Sequence, residues 1–435
     1  MEDPRAIIAR EPMHFRQKVT IGIATALNAL DGFDVLSISF ASPGISKDWN
    51  VTKQALGVVL SMELIGMGIG AFLLGLLCDR IGRRPTTLGC LVVMATGMAL
   101  AANAHDVQML SLFRLYTGLG IGGMLAATNA IAAECSNAQK RNLSVAIMVG
   151  GYPMGAVVGG FLASALLGAT GHWQSVFTFG AGLTVLFLPL VWFLVPETIA
   201  FLVQKQPEGA LAKINRTMVR QGRAPLAALP PRPAPAKGVA LSRLFAPGLA
   251  LVSVTLVVAY GLHMMTFYFL MKWIPKIVVD MGFAAPLAGG VLVWANVGGA
   301  LGTITMSLLT QRFGVRGLLI CQMIGGAVAV ACFGSGVHTI AALSLIACFG
   351  GFFTTAATAG LYAVMAQSYP AELRGGGTGL VIGIGRIGAA LGPIVAGALF
   401  QAHIPLQMVA VIMACGTLTG AVAIALLRYR ETEIA

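Results

Sequence analysis

The chain has 435 residues, of which 57% are hydrophobic and only 10% are charged, and its mean hydropathy is +0.85. A soluble protein of this length does not have such a composition, so the sequence predicts a membrane protein that crosses the bilayer many times. The formal net charge of +12 would suit a nucleic-acid partner, but the placement of lysine and arginine along the chain explains it differently.

Twelve apolar segments are long enough to cross a bilayer as helices. We number them spans 1 to 12, and they lie at 19–45, 55–78, 85–104, 107–133, 143–168, 173–195, 247–274, 285–310, 316–335, 339–366, 376–401 and 405–427. The predicted fold class is therefore an all-α membrane protein of twelve transmembrane helices in two six-helix, pseudo-symmetric halves. The halves would cover residues 1–195 and 247–435, joined by a linker at 196–246. A proline-rich run at 230–235 favours an extended linker over a packed domain.

Lysine and arginine are distributed unevenly between the two sides of this predicted bundle. If the N-terminus is cytoplasmic, that side receives most of them, and the opposite side receives only Lys47, Lys53, Lys272 and Lys276. The asymmetry predicts that both termini are cytoplasmic. It also explains the positive net charge, so we expect no nucleic-acid partner.

Span 1 contains two carboxylates at membrane depth, Asp31 and Asp34. A charged side chain there costs at least ~2.5–3.5 kcal/mol, and intramembrane acids are functional by default. Asn28, Asp31 and Asp34 are spaced i, i+3, i+6, so they share one helix face, which Ser37 continues. The alternative is that these groups only satisfy polar neighbours in the bundle. We predict that Asp31 and Asp34 carry protons.

Two further ionisable side chains lie in predicted spans. Glu63 in span 2 precedes Asp79 by sixteen residues, roughly 24 Å by helical rise, and is either a second proton site or a polar residue at the outer rim. His263 in span 7 is either a titrating group or a hydrogen-bonding spacer. The seven cysteines have no CxxC spacing and no histidine partners, so the sequence predicts buried free thiols and no metal site.

The loop between spans 2 and 3 reads Gly75-Leu-Leu-Cys-Asp79-Arg80-Ile-Gly82-Arg83-Arg84. Glycine permits close helix approach, and the arginines offer forked donors to carboxylates of the other half. The spacing resembles the signature loop of the major facilitator superfamily. The equivalent loop of the second half, at 311–316, is degraded, because Gln311 stands in place of the acid. An ordinary positive-inside loop is the alternative interpretation.

Three more marks are similar to motifs of the same superfamily. Arg114 in span 4 precedes a glycine series, span 5 contains Gly151-Tyr-Pro153-Met-Gly155, and Pro196-Glu197-Thr198 follows span 6. Together with the loop they cover nearly the whole chain. The resemblance implies alternating access, with the substrate bound near the midplane between the two halves.

Within the superfamily the chain is most similar to the aromatic acid:proton symporters. The similarity rests on Asp31-Gly32-Phe33-Asp34, Tyr268-Phe269-Leu270-Met-Lys272-Trp273-Ile-Pro275 and Gly383-Ile-Gly385-Arg386-Ile-Gly388. It implies import of benzoate-type and phenylpropanoid acids, with protons as the coupling ion, no other cofactor and a multi-pass location in a bacterial inner membrane. We expect a monomer in the lipid bilayer. Lys272 departs from the neutral residue that some relatives have at this position.

Arg386 falls about ten residues into span 11, near the midplane, among glycines that leave space beside it. An aromatic acid is an anion at neutral pH, and its carboxylate suits a guanidinium fork. We predict that Arg386 binds the substrate carboxylate; the alternative is a structural ion pair with an acid on another helix.

The other candidates for the substrate pocket are polar or aromatic side chains that can stack on a ring or hydrogen bond to it. They are Asn28, Tyr152, Tyr260, His263, Phe267, Tyr268, Trp294, Asn296 and Tyr362. Each is also compatible with ordinary helix packing.

In the mechanism we predict, desolvation and mutual proximity favour the protonated form of Asp31 or Asp34. Arg114 pairs with the ionised form of Asp34, and protonation breaks this pair and frees the halves to rock. The cytoplasmic gate would combine the signature loop with charged residues at the same end of spans 4, 5, 10 and 11. Its members are Gly75, Asp79, Arg80, Gly82, Arg83, Glu134, Arg141, Glu372 and Arg374.

Two other functions compete with symport. A proton-driven antiporter that exports drugs or metabolites has the same fold, and Gly392-Pro393 in span 11 is partly similar to antiporter motifs. An intramembrane aspartyl protease needs its two acids on different helices, whereas Asp31 and Asp34 share one. The sequence therefore predicts that the protein is not an enzyme.

Overall fold

The computed structural model describes residues 3–232, 241–246, 249–335, 337, 339–370 and 373–427. The regular structure of these ranges is helical, with a 3-10 turn at Leu241–Phe245. The α-helices are α1 (Pro4–Arg10), α2 (Phe15–Asp48), α3 (Lys53–Ile81), α4 (Arg83–Ala102), α5 (Val107–Glu134), α6 (Arg141–Thr170), α7 (Gln174–Leu194), α8 (Ile199–Lys205), α9 (Ala210–Arg220), α10 (Ala250–Asp280), α11 (Ala285–Leu309), α12 (Val315–Phe333), α13 (Ile340–Ser368), α14 (Arg374–Gln401) and α15 (Leu406–Leu426).

Twelve of these helices, α2–α7 and α10–α15, are long and apolar enough to cross a membrane. They coincide with the twelve predicted spans, so the predicted fold class is confirmed. Polar residues cap the starts of two of these helices: the side chains of Thr52 and Asp106 accept hydrogen bonds from the backbone N–H groups of Ala55 (3.2 Å) and Met109 (2.7 Å) at the starts of α3 and α5. Such capping stabilises a helix end by about 1 kcal/mol.

The two sets of six helices have the same internal arrangement. In the first half, α2 packs on α6, α3 on α5 and α4 on α7; in the second half, α10 packs on α14, α11 on α13 and α12 on α15. The halves meet through α3 with α14, α6 with α11 and α2 with α10. The interface is thus itself pseudo-symmetric, because α3 corresponds to α11 and α14 to α6.

Contacts between the halves lie toward the end of the bundle that is opposite the start of α2. Lys53 forms an ion pair with Asp280 (3.8 Å), and the Ser61 hydroxyl donates to the carbonyl of Ala390 (2.7 Å). At the same end Gly57 of α3 lies directly against the backbone at Pro393 of α14. We call this end the closed end; the other, where α2 and α14 begin, is the linker end.

Glycines allow the helices to approach closely. Gly155 of α6 lies so near the backbone of Ala29 on α2 that a Cβ would overlap the Ala29 carbonyl. In a membrane, where helices gain little from the hydrophobic effect on association, such backbone contact supplies much of the packing energy.

We expect Gly155→Ala to destabilise the protein by about 1–3 kcal/mol, because α6 must move away from α2 to accommodate the methyl group. Gly150 on the same helix has open space around its Cα, so Gly150→Ala is the matched control and is expected to be neutral or slightly stabilising, as alanine favours a helix. The apparent melting temperature in detergent measures both. Equal loss in the two variants would contradict the contact.

The linker differs from the predicted extended chain. Its first part forms α8 and α9, which pack with α1 around a small apolar cluster. Ile8, Phe201, Leu202, Ile214 and Met218 belong to that cluster. The proline-rich run misled the prediction because α8 and α9 precede it, and residues 233–240 lie outside the described residues.

Candidate functional site

Three charged side chains from three helices meet inside the bundle. Glu63 of α3, Arg114 of α5 and Lys272 of α10 are fully buried. Glu63 forms ion pairs with both Arg114 and Lys272, the latter at 3.3 Å. Lys272 also donates to the backbone carbonyl of Val35 on α2. Because Lys272 belongs to the second half and the other groups to the first, this ion cluster joins the two halves.

Both acids of span 1 are buried next to this cluster. The side-chain carboxyl oxygens of Asp31 and Asp34 have no hydrogen-bond donor within the described part of the chain. Asp31 is close enough to Asp34 and Glu63 for electrostatic interaction, and Asp34 to Arg114 and Glu63. Three acids therefore share two cations. A buried carboxylate without a donor is far less costly as the neutral acid, so a proton on one aspartate would balance the charge.

The expected pairing of Arg114 with the Asp34 carboxylate is absent from this conformation. Arg114 pairs with Glu63 and donates instead to the backbone carbonyl of Asp34 at 2.8 Å. The Asp34 side chain turns toward α7, where Gly180 leaves room: a Cβ there would lie 3.4 Å from Asp34 Oδ1. Glu63 is fully buried, so it does not occupy an outer rim.

The ion cluster predicts an order of stabilities. Glu63→Gln leaves Arg114 and Lys272 buried without their carboxylate, which is expected to cost about 3–5 kcal/mol. Lys272→Met is expected to lower the stability by less, because the Glu63 carboxylate keeps its ion pair with Arg114. The double variant is expected to recover part of the loss caused by Glu63→Gln. Apparent melting temperatures in detergent test this order, and equal losses for the two single variants would contradict it.

A second group of candidate residues lies between the halves. Tyr152 of α6 and both Tyr260 and Tyr268 of α10 are each within electrostatic reach of Arg386 on α14, and Tyr152 and Tyr268 interact through their side chains. The Tyr260 hydroxyl lies 3.3 Å from that of Tyr362 on α13. Gly385 makes the arrangement possible, since a Cβ there would overlap the Tyr260 ring. We call these five side chains the tyrosine–arginine cluster.

Arg386 is half-buried. Across the residues that the structure describes, its guanidinium makes neither an ion pair nor a hydrogen bond. The predicted alternative, a structural pair with an acid on another helix, is therefore not formed in this conformation. A guanidinium among phenolic rings and hydroxyls can bind an anion that carries an aromatic ring, because the guanidinium pairs with the carboxylate and the phenols contact the ring.

Four other pocket candidates have their observed contacts outside the tyrosine–arginine cluster. Asn28 donates from Nδ2 to the carbonyl of Met148 (2.8 Å), which ties α2 to α6, and Asn296 donates to Leu292 in its own helix (2.9 Å). Trp294 is half exposed. It shares a helix face, at seven-residue spacing, with exposed Leu287, Leu301 and Leu308, and an apolar stripe of this kind suits lipid.

The fourth, His263, is fully buried in the second half. Its Nδ1 lies 2.6 Å from the Thr417 hydroxyl, and its Nε2 lies 3.0 Å from the Thr354 carbonyl and 3.2 Å from the Thr358 hydroxyl. Both ring nitrogens thus have partners on α13 and α15. The arrangement corresponds to the hydrogen-bonding spacer and not to a pocket residue.

Among the residues that the structure describes, those of the predicted gate do not meet across the halves. Arg83 pairs with Asp79 (3.1 Å) and Glu134 (2.7 Å), all within the first half. Arg141 and Arg374 are exposed and have no ion-pair partner among the described residues. Glu372 lies outside those residues. These groups therefore do not join the two halves at the linker end. At the closed end, in contrast, the halves are joined by the ion pair of Lys53 with Asp280 and the hydrogen bond of Ser61.

The signature loop is held by a glutamate that follows α7. Glu197 accepts hydrogen bonds from the backbone N–H groups of Arg83 (3.0 Å), Arg84 (3.3 Å) and Thr198 (2.9 Å), at the start of α4 and of α8. Burial raises the pKa of Glu197, and these N–H groups act in the opposite direction.

Gly82 of the same loop has φ +109°, which other residues rarely adopt, and a side chain there would meet Glu197. Gly75 and Arg80 lie on the last turns of α3, with Arg80 exposed.

Comparison with known proteins decides the family. The model of the Major Facilitator Superfamily matches residues 23–297 and 256–434, which together span most of the chain. The chain belongs to the Major Facilitator Superfamily. Proteins of this superfamily are membrane transporters, so this protein is a transporter and not an enzyme.

Two relatives of known function align along almost their entire length. The gallate transporter of Pseudomonas putida is 28% identical, over 97% of this chain and 94% of its own. The 3-(3-hydroxy-phenyl)propionate transporter of Escherichia coli K12 is 27% identical, over 96% of each chain. The fold of the xylose transporter XylE from E. coli, solved in an inward open conformation, superposes with a TM-score of 0.71 at 17% identity and covers 96% of this chain and 98% of that one.

Sequence reasoning missed the role of Lys272 in this site. It placed Lys272 on the outer side as a departure from relatives, whereas the residue is buried and pairs with Glu63 across 209 residues of sequence. One signal was available: a lysine inside an apolar span needs a buried acid, and Glu63 was an unpaired acid in the other half.

Proposed function

We propose that this transporter is a proton-coupled symporter that imports small aromatic carboxylates by alternating access. The observation that carries the proposal is Arg386, a half-buried guanidinium without an acidic partner among the described residues, set among tyrosines of both halves. The similarity to transporters of gallate and of a hydroxyphenylpropionate supports the same substrate class.

In this proposal the substrate carboxylate forms two parallel hydrogen bonds with the Arg386 guanidinium. The ring of the substrate packs against Tyr260 and Tyr268, and its hydroxyl groups exchange hydrogen bonds with Tyr152 and Tyr362. Because these side chains come from both halves, binding between them favours the closed conformations through which alternating access must pass.

Coupling to protons follows from the charge balance next to the site. With Asp34 protonated, Arg114 remains on Glu63, which also holds Lys272 and so keeps the closed end together. When Asp34 loses its proton, its carboxylate attracts Arg114, which already reaches the Asp34 backbone. The interaction of Glu63 with its two cations then changes, and with it the contact between the halves at Lys272.

We further propose a bacterial inner membrane with both termini in the cytoplasm, as the asymmetry of lysine and arginine predicts. The linker end is then cytoplasmic and the closed end faces outward. The unlatched gate residues at the linker end and the ion pairs at the closed end support an inward-facing state for this conformation.

The test is uptake of radiolabelled aromatic acids, 4-hydroxybenzoate, gallate and 3-(3-hydroxyphenyl)propionate, into proteoliposomes of the purified protein. We expect accumulation when an inward proton gradient is imposed and its collapse when a protonophore is added. Two results would instead indicate the antiporter on the same fold. One is accumulation of the acids that requires an outward proton gradient, and the other is expulsion of neutral or cationic compounds without uptake of any acid.

A further inference from the structure

A basic groove lies at the linker end of the first half, outside the transport site. It encloses about 570 Å³ between the first turns of α2, the last turn of α7 and one face of α9. Because α2 and α7 are membrane-spanning helices and the groove lies at their ends, it sits at the level of the lipid headgroups.

The groove carries an excess of positive charge. Five basic side chains line it, from Arg16, Arg84, Lys213, Arg216 and Arg220. Within the described part of the chain, the side chains of Arg16, Lys213, Arg216 and Arg220 have neither an ion pair nor a hydrogen bond.

The fifth basic side chain, that of Arg84, also has an unused hydrogen-bond donor. Arg84 donates from Nη2 to the carbonyl of Trp192 (2.6 Å), while its Nε is buried without a partner in the part of the chain described. The one acid in the wall, Glu197, is occupied by the backbone N–H groups described above. The groove therefore offers unused donors and positive charge to an anion.

Apolar side chains complete the same wall. Phe15 and Phe193 are 72% and 74% exposed, and Trp192 is 58% exposed, with the Arg84 guanidinium 5.2 Å over its ring. A soluble anion gains nothing from such neighbours. A phospholipid, in contrast, has a phosphate for the arginines and acyl chains for the aromatic rings, and juxtamembrane basic clusters attract anionic lipids.

We propose that this groove is a binding site for an anionic phospholipid, with its phosphate between Arg16, Arg84 and Arg216 and its acyl chains along Trp192 and Phe193. The bound lipid connects α9 of the linker to the ends of α2 and α7. The proposal is independent of the transported substrate, since none of these residues belongs to the tyrosine–arginine cluster or the ion cluster.

The experiment uses the full-length protein, delipidated in detergent, and measures lipid binding by native mass spectrometry and by the shift of the apparent melting temperature. We expect phosphatidylglycerol to bind at least about ten-fold more tightly than phosphatidylcholine. Arg216→Gln/Arg220→Gln is expected to remove this preference. Lys140→Gln/Arg312→Gln, which neutralises two exposed basic residues outside the groove, is the control of equal charge and should keep it.

Two further arms separate lipid from soluble anion. Phe193→Ser should weaken phosphatidylglycerol binding several-fold, and glycerol phosphate or inorganic phosphate at the same concentration should neither bind nor stabilise the protein. Equal stabilisation by free phosphate would overturn the lipid assignment. Equal phosphatidylglycerol binding by the wild type and the Arg216→Gln/Arg220→Gln variant would overturn the site itself.

Discussion

Replacing Arg386 by alanine is expected to lower the uptake of aromatic acids, measured as kcat/KM, by at least about a hundred-fold. The substrate carboxylate would enter a largely desolvated site without a cationic partner, and loss of one member of such a pair costs about 2–5 kcal/mol. Arg386→Lys is expected to recover only part of the activity, because an ammonium cannot reproduce the two parallel hydrogen bonds of a guanidinium.

Two measurements distinguish substrate binding from a structural role. The apparent melting temperature of Arg386→Ala should stay close to that of the wild type, since the guanidinium has no partner among the described residues to lose. Substrate should stabilise the wild type and not the variant. Arg312→Ala, at an exposed arginine outside the site, is the control. Normal uptake by Arg386→Ala would contradict the proposed anion site.

Replacing Asp34 by asparagine is expected to abolish accumulation of substrate driven by a proton gradient, while exchange of labelled for unlabelled substrate continues. Asparagine is nearly isosteric with the neutral acid, so it mimics the protonated state that the charge balance favours, but it cannot release a proton. The variant would thus bind and exchange substrate without coupling. The expected loss of gradient-driven uptake is at least about ten-fold, measured in proteoliposomes with and without the gradient.

Ser39→Ala provides the matched control on the same helix. The Ser39 hydroxyl is buried and has no hydrogen-bond partner within the described residues, but it does not titrate, so its removal should leave gradient-driven uptake unchanged. Asp31→Asn, measured in parallel, assigns the proton between the two acids. Retention of gradient-driven uptake by both Asp31→Asn and Asp34→Asn would contradict the proposed coupling.

The sequence predicted the elements of this protein well because a membrane imposes simple rules. Spans were recognisable from apolar length alone, and charged residues inside them stood out against an apolar background, as Asp31, Asp34 and Glu63 did. The spacing of glycine, acid and arginines in the signature loop was specific enough to indicate the superfamily. The linker was predicted less well, because α8 and α9 are short and pack on residues of α1 far away in sequence.

The site was only partly predictable. The sequence singled out Arg386 as an arginine beside glycines near the midplane, and of the aromatic candidates the structure places Tyr152, Tyr260 and Tyr268 near it. Trp294 and His263 were equally reasonable as sequence candidates. Which of these side chains turns inward depends on the rotation of each helix about its axis, and an almost uniformly apolar helix gives little indication of that rotation.

The sequence by itself determined the number of spans, the division into two halves and the presence of three acids at membrane depth. The tertiary structure alone decided how the charges pair: Arg114 with Glu63, and Lys272 with the same carboxylate. Helical periodicity relates residues within one helix, whereas a pair between helices depends on their relative height and rotation. Those are set by many backbone contacts such as Gly155 with Ala29, which connect segments far apart in the chain.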